Sequence, residues 1–137
     1  MHGREKNPKR GQAMMHFSDS IKPYVQQEVE QSQQYRAAGD INKEFECLEN
    51  AHVLGQESTY YHVYAHLKML QWGIRNRNVK EVLGQLLRIV GATVTTSIGL
   101  VPHGNTGGSN VSPFQRMPIQ PRLATIIDQA KHQSMNT

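Results

Sequence analysis

The sequence contains a single cysteine, Cys47, and no run of about 20 apolar residues of the kind that crosses a membrane as a helix. One cysteine excludes an internal disulfide framework and is typical of a protein from a reducing compartment. The basic N-terminal residues are not followed by the apolar segment of a secretory signal peptide. These absences predict a cytoplasmic protein with no membrane partner.

Acidic residues are outnumbered by basic ones, and the excess of positive charge is local. The chain has 15 Lys and Arg against 11 Asp and Glu, which gives a net charge of +4 at pH 7. Residues 1–10 hold four basic residues and one acidic residue, so they account for +3 of that charge. The rest of the chain therefore shows no sign of a basic face for binding nucleic acid. We expect residues 1–13 to form a disordered basic tail, either an extension upstream of a start at Met14 or Met15 or a contact segment for RNA or an acidic partner.

Apolar residues recur at spacings of three and four along the chain, which is the pattern of amphipathic helices. Four helices are predicted over residues 18–39, 41–54, 58–76 and from 79 onward, and residues 93–98 either prolong the fourth or run extended. The predicted core stripes are Val63, Leu67, Leu70 and Ile74 in the third helix and Val79, Leu83, Leu86 and Val90 in the fourth.

Short turns separate these helices. Gly39 is suited to a left-handed helix end, Asp40 to capping the next helix, and Gly55 to ending it. Short turns make neighbouring helices antiparallel, so the predicted fold class is all-α, either an antiparallel bundle or tetratricopeptide-like helical hairpins. We expect one α-helical domain over residues 14–132, followed by a disordered tail over 133–137.

Proline and glycine are concentrated in one stretch after the fourth helix. Residues 101–121 hold four of the six prolines and three of the eleven glycines, which leaves no room for a regular element. Apolar residues in the same stretch predict a loop that wraps around the helices and not a solvated linker. Pro121 is suited to the first turn of a C-terminal helix that ends near His132.

Three of the seven histidines and one glutamate have a spacing that suggests a metal site. Glu49 and His52 are three residues apart on the second predicted helix, and His62 and His66 are four apart on the third. Antiparallel packing around Gly55 lets the two pairs converge. Imidazole and carboxylate groups on facing helices bind transition metals, so we predict one Zn, Fe, Cu or Ni ion. The predicted ligands are Glu49, His52, His62 and His66, completed by His103 from the loop.

One other interpretation competes with the metal site. His52 can end an apolar stripe and hydrogen-bond within the helices, with His62 and His66 at the polar border of the third helix. The protein would then be a tetratricopeptide-like interaction module, which binds a protein partner or a second copy of itself. Its groove would be lined by Tyr60, Tyr61, Tyr64 and Trp72. No nucleophile-based catalytic set is evident, so enzymatic activity is left open.

The histidine-containing helices and the glycine-rich loop also resemble a known family. The segments that carry the resemblance are Glu46 to Gln56, His62, His66, Gly104 to Phe114 and Met117 to Ile119. They resemble a small bacterial family known as domain of unknown function 3703, over about Tyr24 to Ala130. The resemblance implies a stand-alone bacterial cytoplasmic protein and no particular mechanism.

Overall fold

The computed structural model describes residues 16–99 and 102–135, and these ranges are mostly helical. The helices are α1 (His16–Ala37), α2 (Ile41–Gly55), α3 (Thr59–Arg75), α4 (Val79–Ser97) and α5 (Pro121–Met135). No strand occurs in the described ranges, and the helices pack against one another, so the all-α prediction is confirmed. The predicted basic tail lies outside the described residues.

The turns between the helices follow from local sequence. Gly39 has a φ of +78°, the left-handed conformation that glycine adopts without strain. The Asp40 side chain accepts a hydrogen bond from the Lys43 backbone N–H at 3.1 Å and caps α2. Ser58 caps α3 through Tyr61, and Asn78 caps α4 through Glu81. These caps give consecutive antiparallel pairs, in which α1 packs on α2, α2 on α3 and α3 on α4.

The main hydrophobic core lies where α5 packs against α1 and α2. Its buried residues are Ile21, Val25, Val29, Ala51, Val53, Leu54, Tyr61, Leu123, Ile127 and Ala130. A smaller cluster joins Leu48 of α2 to Met69 and Trp72 of α3, with Phe45 at its edge. The Trp72 indole N–H donates to the Ile41 carbonyl at 3.2 Å, so the buried polar group has a partner.

The predicted core stripes of α3 and α4 are wrong in part. In α4, Val79, Leu83, Leu86 and Val90 are 50–68% exposed. The buried face of this helix instead carries Glu81, Gln85 and Ala92. Periodicity identified a helix correctly, but the inward face is decided by polar contacts with the loop that follows. In α3, Leu67 and Ile74 are exposed in the same way.

The segment after α4 differs from the helices. Residues 93–97 continue α4, which decides between the two alternatives for that stretch. Residues 102–120 contain no helix or strand, and they hydrogen-bond to α2 and α4. α5 continues to Met135. Among the described residues, no helix has the length and apolar character needed to cross a bilayer.

Candidate metal site

Three buried histidines lie together between α2, α3 and the loop. His52 is 2% exposed, and His62 and His66 are each 3% exposed. One potential ligand atom from each lies within 4.8 Å of the other two. The helical spacing of His62 and His66 puts both on the face of α3 that meets α2. These two histidines are therefore buried, and their placement at a polar border of α3 was wrong.

The close approach of α2 and α3 depends on Gly55. A Cβ atom added at Gly55 would lie 2.6 Å from the Cβ of Tyr61, which is shorter than any ordinary contact. The missing side chain lets the start of α3 pack directly on the end of α2. His52, one turn before Gly55, and His62, just after Tyr61, then meet with ring centroids 4.8 Å apart.

The hydrogen-bond partner of His52 decides which ring nitrogen carries the proton. His52 Nδ1 lies 2.8 Å from the backbone oxygen of Asn105. A carbonyl oxygen accepts hydrogen bonds and donates none, so Nδ1 must carry the hydrogen. In the neutral imidazole, Nε2 then has a free lone pair, which is the form that binds metals.

The same argument holds for His66, through Gln85. The Gln85 Nε2 group lies 2.6 Å from Glu81 Oε1 and 2.8 Å from the Gly107 carbonyl, which are both acceptors. The amide nitrogen must therefore face them, and Gln85 Oε1 accepts from His66 Nδ1 at 2.6 Å. His66 Nε2 is left with its lone pair, as in His52.

These two lone pairs face each other. The Nε2 atoms of His52 and His66 are 3.1 Å apart. A metal ion at the usual 2.0–2.1 Å from each nitrogen would make an N–metal–N angle of about 98°, between the octahedral and tetrahedral values. The pair thus has the spacing of two ligands on one ion, and His62 lies beside both.

Burial keeps the three imidazoles neutral at pH 7. Loss of solvent lowers the pKa of His62 from 6.5 to about 4. Loss of solvent and the neighbouring His62 together lower the pKa of His66 from 6.5 to about 3. Burial and the two other histidines lower the pKa of His52 well below 6.5. Neutral imidazoles are the metal-binding form, so protons do not compete for the site at neutral pH.

The loop holds His52 in place through Gly107. This residue has a φ of +85°, and a Cβ there would lie 2.7–2.9 Å from three atoms of the His52 ring. Glycine is required for the backbone conformation and also for the contact. The loop backbone therefore packs directly on the imidazole.

We expect Gly107→Ala to lower the free energy of unfolding by about 2–4 kcal/mol. The backbone strain of an alanine at positive φ and the overpacking of its Cβ against His52 both contribute to this loss. Gly39→Ala is the matched control, because Gly39 also has positive φ but a Cβ there meets nothing within 4 Å. It should cost only about 1–2 kcal/mol of strain. Urea unfolding of both variants measures the difference, and equal losses would contradict the contact with His52.

The other two predicted ligands lie outside the cluster of three. Glu49 is half-buried, and burial raises the pKa of its carboxyl group while the Thr106 hydroxyl opposes that rise. His103 is half-buried and lines a cavity that the three histidines also line. Among the described residues, the group that can share one ion contains neither of them.

Sequence reasoning missed the groups that hold the histidines. Glu81 and Gln85 are buried on α4, and Asn105 is buried in the loop. The Asn105 side chain donates to the carbonyls of Ser112 and Gln115, both at 2.7 Å, and fixes the loop against itself. The sequence signal for them is the spacing of four between Glu81 and Gln85, which puts both on one face of α4. This polar face competes with the apolar face of the same helix for the buried position.

A cavity of about 690 Å³ adjoins the cluster. His52, His62 and His66 form part of its wall, and Gln56, residues of α4 and residues of the loop form the rest. An ion at the three histidines would therefore have space for a further ligand on one side. Catalytic metal sites are built in this way, with three protein ligands and an open position.

The comparisons with known proteins give a family and no activity. A family model described as "Protein of unknown function (DUF3703)" matches residues 19–127. No curated protein and no solved structure matches the chain. The matched range includes the three histidines, Gln85 and the loop that holds them. Since it spans well over half of the sequence, the chain belongs to the protein family of unknown function DUF3703.

Proposed function

We propose that the protein binds one divalent transition-metal ion through His52, His62 and His66, for metal handling or for a metal-dependent reaction. One observation carries this proposal. The Nε2 atoms of His52 and His66 face each other at 3.1 Å, while the Nδ1 atom of each donates to an oxygen. Two lone pairs at that distance repel each other, and a cation bound to both nitrogens removes the repulsion.

The groups behind the ligands support the proposal. Metal-binding histidines usually donate their second ring N–H to a carbonyl or carboxylate, which fixes the tautomer and makes the ligand more basic. His52 has a backbone carbonyl in this position and His66 has an amide oxygen. Glu81 stands behind that amide at 2.6 Å from Gln85 Nε2, so negative charge lies two groups away from the ion.

The proposed ligand set differs from the one predicted from the sequence. We assign Glu49 and His103 no bond to the ion, since neither belongs to the close cluster. Three imidazoles suit Zn²⁺, Fe²⁺, Cu²⁺ and Ni²⁺, and cellular supply often decides which ion is bound. Three ligands leave an open position, which suits an exchangeable ligand more than a structural ion.

The alternative, a tetratricopeptide-like interaction module, has less support. Tyr61 is 8% exposed and Trp72 is 9% exposed, so these aromatics pack inside and cannot line an open groove. Of the four aromatics predicted to line the groove, these two face the neighbouring helices instead, whereas Tyr60 is exposed. Homodimerisation stays a prediction, because α4 exposes apolar residues that a second copy of the protein could cover.

Elemental mass spectrometry on tag-free protein tests the metal proposal. We expect about one ion per chain in the wild type, and less than about a tenth of that in His62→Ala/His66→Ala. The matched control His103→Ala/His132→Ala removes two histidines outside the cluster and should keep the ion. Circular dichroism verifies that each variant is folded.

Three results would contradict the proposal. The first is wild-type protein that stays empty after Zn²⁺, Fe²⁺, Cu²⁺ and Ni²⁺ are each added at micromolar concentration. The second is full metal content in the folded His62→Ala/His66→Ala variant. The third is loss of the ion from the control variant alone, which would assign the site to His103 or His132.

A further inference from the structure

The cavity beside the histidines has the size of a small-molecule site. Its volume of about 690 Å³ lies within the 300–1,000 Å³ range typical of ligand pockets. Most of the wall away from the histidines is apolar. That part includes Leu87, Val90, Ala92, Pro102, Pro113 and Phe114. Such a wall favours a ligand with an apolar body over a small hydrated ion.

The charged groups among the described lining residues of the cavity are all of one sign. Arg88 and Arg116 line it, and no Asp or Glu is among its described lining residues. None of the ion pairs between described residues involves Arg88. Glu81 is the carboxylate that acts on Arg88, but its oxygens already accept from Ser109 N and Gln85 Nε2.

Arg88 is fixed in position by hydrogen bonds to backbone carbonyls. Its NH1 group donates to the Gly84 carbonyl at 3.2 Å, and its NH2 group donates to the Val111 carbonyl at 2.7 Å. These bonds hold the guanidinium between α4 and the loop. Its Nε–H is buried and makes no hydrogen bond to the described residues. This atom is closed off from the cavity, so a ligand there meets the charge of the guanidinium and not this donor.

A bound metal would increase the demand for an anion. Three neutral imidazoles leave the +2 charge of the ion uncompensated within its ligand set. The ion and Arg88 would then both place positive charge beside the cavity, whose outer wall at Leu87, Val90 and Phe114 is exposed to solvent. The fourth ligand that best suits this environment is negatively charged.

We infer that the cavity binds a small carboxylic acid with an apolar body, whose carboxylate takes the open position on the metal and lies beside the positive charge of Arg88. This inference rests on the proposed metal site. The carboxylate oxygens satisfy both positive groups, and the apolar part contacts Leu87, Val90 and Phe114. An inorganic anion such as phosphate would leave these apolar contacts unmade.

Co²⁺-loaded protein allows the metal and the acid to be followed separately. Absorption between about 500 and 650 nm reports the ion, and calorimetry reports the added compound. The probes are 4-phenylbutyrate, its uncharged amide, and acetate. We expect 4-phenylbutyrate to change the Co²⁺ spectrum and to bind at least tenfold more tightly than the amide or acetate, because only it has both charge and apolar body.

Two variants locate the binding. Arg88→Met should weaken 4-phenylbutyrate at least tenfold, while Arg36→Met, an exposed arginine on α1, should change nothing. Gly91→Trp should abolish acid binding with Co²⁺ still bound. Gly91 lines the cavity, and a Cβ there meets no heavy atom within 4 Å, so the indole can fill the space without disturbing the core. This variant leaves Arg88 in place, so the hydrogen bonds of Arg88 to the loop are kept.

The outcomes separate the two proposals. No Co²⁺ spectrum in wild-type protein would overturn the metal site, and the carboxylate inference with it. A normal Co²⁺ spectrum with equal affinity for the acid and the amide would overturn the carboxylate inference alone. Unchanged binding of 4-phenylbutyrate to folded Gly91→Trp would do the same, since the acid would then bind elsewhere.

Discussion

Acidification from pH 6.5 towards pH 4 is expected to destabilise the metal-free protein steeply. In the unfolded chain the histidines titrate near 6.5, whereas burial lowers the folded pKa of His62 to about 4 and of His66 to about 3. The unfolded state therefore binds more protons between these values, and stability falls as the pH falls. Each buried histidine contributes up to about 1.4 kcal/mol per pH unit, so three give a slope of up to about 4 kcal/mol per pH unit.

Urea unfolding at a series of pH values measures this slope. His62→Gln should reduce it by about a third, because one proton fewer is taken up on unfolding. His132→Gln is the control, since His132 is exposed on α5 and should leave the slope unchanged. A wild-type free energy of unfolding that stays constant between pH 6.5 and 4.5 would show that the three imidazoles are not buried in neutral form.

Replacing Gln85 by leucine is expected to weaken both the fold and the metal site. Gln85 is fully buried, accepts from His66 and donates to Glu81 and Gly107. Leucine leaves the His66 Nδ1–H group and Glu81 without this partner, which should cost about 2–4 kcal/mol of unfolding free energy. Loss of a group that orients a metal-binding histidine usually weakens metal affinity by about 10–100-fold.

Metal titration and urea unfolding of Gln85→Leu check both effects. The matched control is Gln71→Leu, because Gln71 is an exposed glutamine on α3 and should change neither quantity by much. Nitrogen-15 NMR of the imidazoles should show the proton on Nδ1 of His66 in the wild type and a mixture of tautomers in Gln85→Leu. Wild-type metal affinity in a folded Gln85→Leu protein would contradict the role of the amide.

The helices and turns were predictable because the groups that define them are close in sequence. Gly39, Asp40 and Ser58 act on backbone groups within three residues of themselves. The convergence of His52 with His62 and His66 followed from the short turn at Gly55, which makes α2 and α3 antiparallel. Three of the five predicted ligands were brought together for this reason.

Glu49 could not be separated from His52 by spacing alone. The two residues are about 60° apart around α2, and a pattern in one helix cannot show which of them faces the next helix. In the folded protein His52 meets α3, whereas Glu49 lies beside Thr106 of the loop. His103 had no periodic element to place it, since it lies in the irregular segment.

The inward face of α4 depends on contacts across the chain. Two stripes with helical spacing compete there, one apolar through Leu83 and one polar through Glu81 and Gln85. The polar stripe is buried because Gly107 and Ser109, more than 20 residues further along, supply its hydrogen-bond partners. Local patterns were therefore enough for the helices, their antiparallel order and the paired histidines. The tautomers and the cavity depend on how the loop packs on α2 and α4, which no local pattern encodes.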